Sequence, residues 1–142
     1  MEENMRNLRI AMILYGAIQI AEGFVMWLMP DKFPSFIGFN EQMFMSTDAR
    51  GFLNFMLILA GVAFIAGGFI IIAGSFNNPW RNANPVRFAI LWSALMFVGQ
   101  IHALIKGSVS FGQIWFVLII TAIFLAAFLI FYPWPFNRKS FR

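Results

Sequence analysis

The sequence predicts an all-α integral membrane protein: a bundle of four transmembrane helices, with a short interfacial helix or lid between spans one and two. Three observations predict it. Of the 142 residues, 61% are hydrophobic and 11% are charged, with a mean hydropathy of +0.76, outside the range of soluble globular domains. The apolar residues gather into four runs, approximately 8–29, 50–75, 86–106 and 112–132, each of the roughly 20 residues that cross a hydrocarbon core. The ten basic residues sit at the ends of these runs rather than along one polar face, which reads as membrane topology and not as a nucleic-acid surface. The connections are short, so a single membrane domain, 1–142, takes up nearly the whole length.

A polar head, residues 1–9, precedes the first run, which continues to Met29 and stops at Pro30. A secretory signal peptide is the alternative for such a start. The apolar region is too long for one, carries Gln19 and Glu22, and lacks a small-x-small cleavage site, so it is read as a retained span. Gly16 and Gly23, and Ala17 and Ala21, form small-residue faces against which another helix can approach closely.

Residues 30–49 mix aromatics, methionine and charges. Phe33, Phe36, Ile37, Met43 and Phe44 approximate one face at helical spacing, as in a short helix lying in the interface as a lid. Ser46 or Thr47 can cap the second span, with Asp48 in its first turn. That span is glycine-rich, and Arg50, Asn54, Ile58, Gly61, Ile65 and Gly68 lie along one stripe expected to face the bundle. The connection from Phe76 to Pro85 is ordinary turn chemistry, two prolines and four asparagines, with nothing that suggests a site. The third span contains Ser93, Gln100 and His102. A Gly107-to-Gly112 turn leads to the fourth, whose internal polar group is Thr121, and the chain closes on a basic, aromatic tail.

Lysine and arginine near the span ends divide seven (Arg6, Arg9, Arg81, Arg87, Arg138, Lys139, Arg142) against three (Lys32, Arg50, Lys106). The bias predicts a multi-pass protein of the inner, cytoplasmic membrane with both termini in the cytoplasm. On that orientation Trp80, Trp92, Tyr132 and Trp134 mark the inner interface, and Trp27 and Trp115 the outer one.

The candidate site follows from depth. At about 1.5 Å of rise per residue, Glu22, Asn54, Gln100 and His102 all fall roughly 6 to 10 Å below the outer ends of their spans. Gln19 precedes Glu22 by about one turn and Tyr15 precedes Gln19 by another, and Arg50 stands at the outer end of span two. These seven residues sketch a polar pocket in the outer half, roofed by the interfacial segment. An isolated charge near the bilayer centre costs about 2.5–3.5 kcal/mol on insertion scales, so Glu22 is expected to be paired or protonated. A partner at Arg50 makes it a structural anion; a partner at His102 permits a shared proton.

Each residue also has a plainer reading. Glu22 can be a structural hydrogen-bonding group, His102 a headgroup-facing side chain, and Asn54 and Gln100 interhelical hydrogen-bond partners. His102 is also the candidate single axial ligand for a chlorin or haem, since one imidazole suffices for a five-coordinate metal. With no cysteine and one histidine, thiolate metal sites, Cys nucleophiles, disulfides, multi-His metal sites and paired-His haem ligation are excluded within the chain. No catalytic motif is present. The 19 phenylalanines read mainly as bulk, with a quinone or pigment groove as the minority use.

The Gly-rich first span ending at Pro30, Arg50-Gly51 opening the second, the stretch Leu59-Ala-Gly-Val-Ala-Phe-Ile-Ala-Gly-Gly68, and a third span ending in a short polar turn together resemble the DoxX-like families of small four-span bacterial membrane proteins. The resemblance covers most of the chain through spacing and glycines. It implies four helices in the bilayer and permits a redox-linked role, since some DoxX-like proteins are associated with quinol oxidation or redox homeostasis; it assigns no residue a role.

Three functions are therefore expected in contention. The first is a non-enzymatic accessory or structural subunit of a larger respiratory or photosynthetic membrane complex, in contact with the lipid bilayer and with other membrane subunits or its own copies. The second is a self-sufficient DoxX-like bundle that binds a quinone, a lipid or another small apolar molecule in the outer-half pocket. The third is a proton or solute transport unit, which the lack of an inverted repeat or broken helices disfavours.

Overall fold

The structure, a computed structural model, describes residues 2–38, 47–78 and 82–132. It is all-α, as predicted, and the four long helices are each apolar and long enough to cross a membrane. In chain order the helices are α1 (Glu2–Leu28), the short α2 (Phe33–Phe36), α3 (Thr47–Ser75), α4 (Asn84–Ile105) and α5 (Phe111–Phe131). The long helices close a ring in which α1 packs on α3, α3 on α4, α4 on α5, and α5 back on α1. Many large apolar side chains on the outside, among them Phe52, Phe69, Leu95, Val98, Phe116 and Ile123, are exposed as a lipid-facing surface requires.

Local chemistry explains most boundaries. Residues 2–9 do not form a separate head: α1 begins at Glu2, and Glu3 places a negative charge in its first turn, where the helix dipole favours it. It ends at Leu28 because the residue before Pro30 is disfavoured in helical conformation. Asp48 stands in the first turn of α3, as expected. Pro85 sits at the start of α4, where its missing N–H has no intrahelical partner to lose. Gly107, at φ 68°, turns the chain out of α4 in the left-handed conformation that L residues avoid. Ser110 caps α5 in a box with Gln113, whose Oε1 accepts from the Ser110 backbone N–H at 2.7 Å.

The most extensive contact between the described helices is the antiparallel crossing of α1 and α3. A Cβ added to Gly16 would lie 2.7 Å from the carbonyl oxygen of Gly68, and one on Gly68 would lie 2.6 Å from that of Gly16. Seven residues along, Gly23 and Gly61 repeat the arrangement reciprocally, each 2.6 Å from the other's carbonyl oxygen. Only hydrogen fits at all four positions, and the backbones approach closely enough for Cα–H···O contacts. The glycine part of the predicted stripe on α3 therefore does face the bundle. Ala17 and Ala21, in contrast, are exposed.

The rest of the core lies toward the end of the bundle that carries the start of α1. Leu8, Met12, Tyr15, Ile71, Val86, Ala89 and Phe128 are buried together. Trp92 joins this packing from α4 and covers Gly67 of α3. It is thus turned inward, contrary to its expected place in an interfacial belt, because its indole N–H finds a partner inside the bundle. Trp80 and Trp134 lie outside the described residues.

Candidate functional site

The seven predicted pocket residues do not form one cluster. Tyr15 lies two turns from Glu22, about 10 Å along the helix, and is buried against Phe124 and Phe128 with ring centroids 5.0 and 5.5 Å away. It belongs to the core. Gln19 is 4% exposed and holds two groups at once: its Nε2 donates to Glu22 Oε2 at 3.3 Å, and its Oε1 accepts from Trp92 Nε1 at 2.8 Å. Neither expected partner reaches Glu22. Arg50 instead pairs with Asp31 at 3.8 Å, both side chains more than half exposed, and Asn54 donates its amide to the same Asp31 carboxylate. A loop acid at the end of α1 thereby takes the cation that sequence reasoning had offered to Glu22.

His102 is exposed and does not line the pocket. The reason is helical geometry: α4 turns Met96 and Gln100 inward at i, i+4 spacing, and a side chain two residues after Gln100 points to the opposite side. Depth along the span brought His102 to the level of Glu22; rotation about the helix separates them. Gln100 is placed as expected. Its Nε2 donates to Thr121 Oγ1 at 3.2 Å, which in turn donates to the Val117 carbonyl at 2.8 Å. Its Oε1 is buried without a hydrogen-bond partner among the described residues.

Glu22 and Gln100 do share a cavity. It measures about 460 Å³ and lies between α1, α4 and α5, with α2 and its flanking turn across one end. Ala21, Val25 and Met26 of α1, Phe64 of α3, Met96 of α4, and Ile114 and Val117 of α5 form apolar walls, with Phe33, Phe36 and Ile37 at the covered end. The polar lining is Glu22, Gln100 and Gln113. Such a volume and such a wall, apolar with a few polar groups, match sites for small molecules.

Of the predicted lid, the described residues hold the four-residue α2, with Phe33 and Phe36, and Ile37 just after it; Met43 and Phe44 lie outside the described residues. It is tethered on both sides. Before it, Asp31 is held to α3 by Asn54 and Arg50. After it, the Gly38 carbonyl accepts from Gln113 Nε2 at 3.1 Å, which ties the segment to α5. Gln113, which sequence reasoning missed, therefore caps α5, lines the cavity and holds its cover; the Ser110-x-x-Gln113 spacing was the available signal. Gln113→Ala is expected to raise amide exchange at residues 33–38 by about 3- to 10-fold, the equivalent of one lost hydrogen bond, with exchange in the middle of α3 unchanged. Hydrogen exchange with mass spectrometry checks this.

No family model, curated protein or solved structure matches this chain.

Proposed function

We propose that the chain is a self-sufficient membrane bundle that binds a small apolar molecule bearing a hydrogen-bonding end, of the quinone or lipid class, in the cavity beneath α2. The observation that carries this reading is the cavity itself: about 460 Å³ with apolar walls, and Glu22 and Gln100 as the polar groups within the bundle. The apolar body of the ligand lies against Met96, Ile114 and Val117. Its polar end carries a hydroxyl, as a quinol or a lipid alcohol does, which donates to the Gln100 amide oxygen, whose acceptor position is unused, beside the Glu22 carboxyl that Gln19 orients. The DoxX-like resemblance, through its association with quinol oxidation, supports a quinol within that class. The lysine and arginine bias supports an inner-membrane orientation with both termini cytoplasmic, which puts the cavity in the outer half.

An accessory subunit of a larger respiratory or photosynthetic complex, the other leading expectation, rested partly on small-residue faces seeking a neighbour. Gly16, Gly23, Gly61 and Gly68 find that neighbour within the chain, so the cavity is the stronger support.

Titration of the detergent-solubilised chain with decylubiquinol, kept reduced, followed by equilibrium dialysis, tests the proposal. Saturable binding is expected for the wild type. Ala21→Trp, which fills the cavity, abolishes it, while Ala17→Trp, one turn away and outside the lining, leaves it intact. Glu22→Leu weakens it about 10-fold, the usual effect of removing one hydrogen bond to a charged or strongly polar group. Unsaturable partitioning, equal across all four proteins, would contradict binding in this cavity.

A further inference from the structure

A second cavity, of about 340 Å³, opens at the other end of the bundle, where the start of α1 meets the end of α3 and the beginning of α4. Its floor is apolar: beneath it Leu8, Met12 and Val86 are nearly fully buried, and Met5 and Phe76 give it accessible apolar surface. Its rim carries Arg6 and Arg9, which share a face of α1 at i, i+3 spacing, together with the Asn77 side chain. Among the described residues no aspartate or glutamate lines it; the nearest acids in sequence, Glu2 and Glu3, stand at the first turn of α1.

Arg9 is held in place. Its Nε donates to the carbonyl oxygen of Ser75 at 3.1 Å, the last residue of α3, where helix carbonyls lack intrahelical donors and the dipole is negative. This single bond fixes the guanidinium plane and offsets the dipole. It also leaves the terminal amino groups of the fork, which match phosphate oxygens in geometry. Arg6 makes no side-chain hydrogen bond to the described residues. Basic residues at span ends serve topology wherever they point, but topology requires neither a preset guanidinium nor an apolar floor beneath the pair.

We propose that this cavity seats the phosphate ester head of an anionic glycerophospholipid. Arg6 and Arg9 hold the phosphate oxygens, and the first methylenes of an acyl chain lie against Met5 and Phe76. The floor favours a lipid over a free phosphate ion, because inorganic phosphate has nothing to place there. Basic pockets between spanning helices at the headgroup level have this chemistry.

Native mass spectrometry of the detergent-solubilised chain, with dioleoylphosphatidylglycerol and dioleoylphosphatidylcholine added in equal amounts, tests the proposal. The phosphatidylglycerol adduct is expected to dominate. Arg6→Gln lowers its affinity about 5-fold, and Arg6→Gln with Arg9→Gln about 25-fold, at the usual strength of one basic residue near an anionic headgroup. Millimolar inorganic phosphate leaves the adduct in place. Equal retention of the two lipids, or full retention by variants with wild-type helix content, would overturn the proposal. Displacement by inorganic phosphate would overturn the lipid assignment in favour of a phosphate-ion site. Should the double variant fail to fold, Arg6→Gln decides the matter, since it removes no hydrogen bond to the described residues.

Discussion

Gly61→Leu is expected to destabilise the bundle by about 3 kcal/mol, the upper end of the usual overpacking range. A Cβ at that position would stand 2.6 Å from the Gly23 carbonyl oxygen and 2.9 Å from the Trp27 backbone nitrogen. Both obstacles are backbone, so no rotamer change relieves the clash, and α1 must move away from α3 along the whole crossing. The effect is symmetrical: Gly23→Leu meets the Gly61 carbonyl oxygen at the same 2.6 Å and should cost a similar amount. Gly99→Ala is the control, since a Cβ there meets nothing within 4 Å. It should fall within about 1 kcal/mol of wild type, on the stabilising side, from helix propensity alone. Unfolding in mixed detergent micelles of rising SDS fraction, followed by circular dichroism, measures all three. Gly61→Leu with wild-type stability would mean that the helices do not cross at these glycines.

The second large effect is expected at Gln19. Its two hydrogen bonds join α1 to α4 through Trp92 and satisfy Glu22 within the same helix. Gln19→Leu keeps the side chain's approximate size but leaves an indole N–H and a carboxyl without their partner, at a cost of about 1–3 kcal/mol. The loss comes mainly from the orphaned groups, so Trp92→Phe in the Gln19→Leu background should recover part of it, because it removes the unsatisfied donor. The same unfolding assay reads this as a double-mutant cycle. Additivity of the two substitutions would show that the Gln19–Trp92 bond contributes nothing to stability.

The positions of the spans were legible in the sequence because hydrocarbon thickness sets the length of an apolar run, and all four runs became helices. The glycines were legible as close-packing positions, but their pairing was not. That Gly16 meets Gly68 and Gly23 meets Gly61 depends on the antiparallel register of α1 and α3, which no local pattern records. At the candidate site, helical rise placed Glu22 and Gln100 at one level correctly, and both line the cavity. The same rise misplaced His102, because depth is one coordinate and rotation about the helix axis is another. Arg50 was drawn toward Glu22 because buried charges need partners. Asp31, in the connection after α1, meets it at 3.8 Å and sits where water still reaches both. Tyr15 was joined to the pocket by its one-turn spacing from Gln19, yet successive turns carry it about 10 Å away from Glu22 into an aromatic cluster. The arginine-lined cavity was hidden for a related reason: the residues after Ser75 carry only turn chemistry, and their meaning comes from lying beside Arg6 and Arg9.

What stays on the chain when it is taken from its native membrane bears most directly on the proposed ligand. Wild-type protein and Ala21→Trp, extracted in mild detergent and matched in helix content, are to be compared by mass spectrometry of bound small molecules and of co-purified chains. The expected result is an apolar molecule with a polar end on the wild type and its absence from Ala21→Trp. An empty wild-type cavity, with larger membrane subunits retained equally by both proteins, would contradict the binding function and favour the accessory-subunit reading.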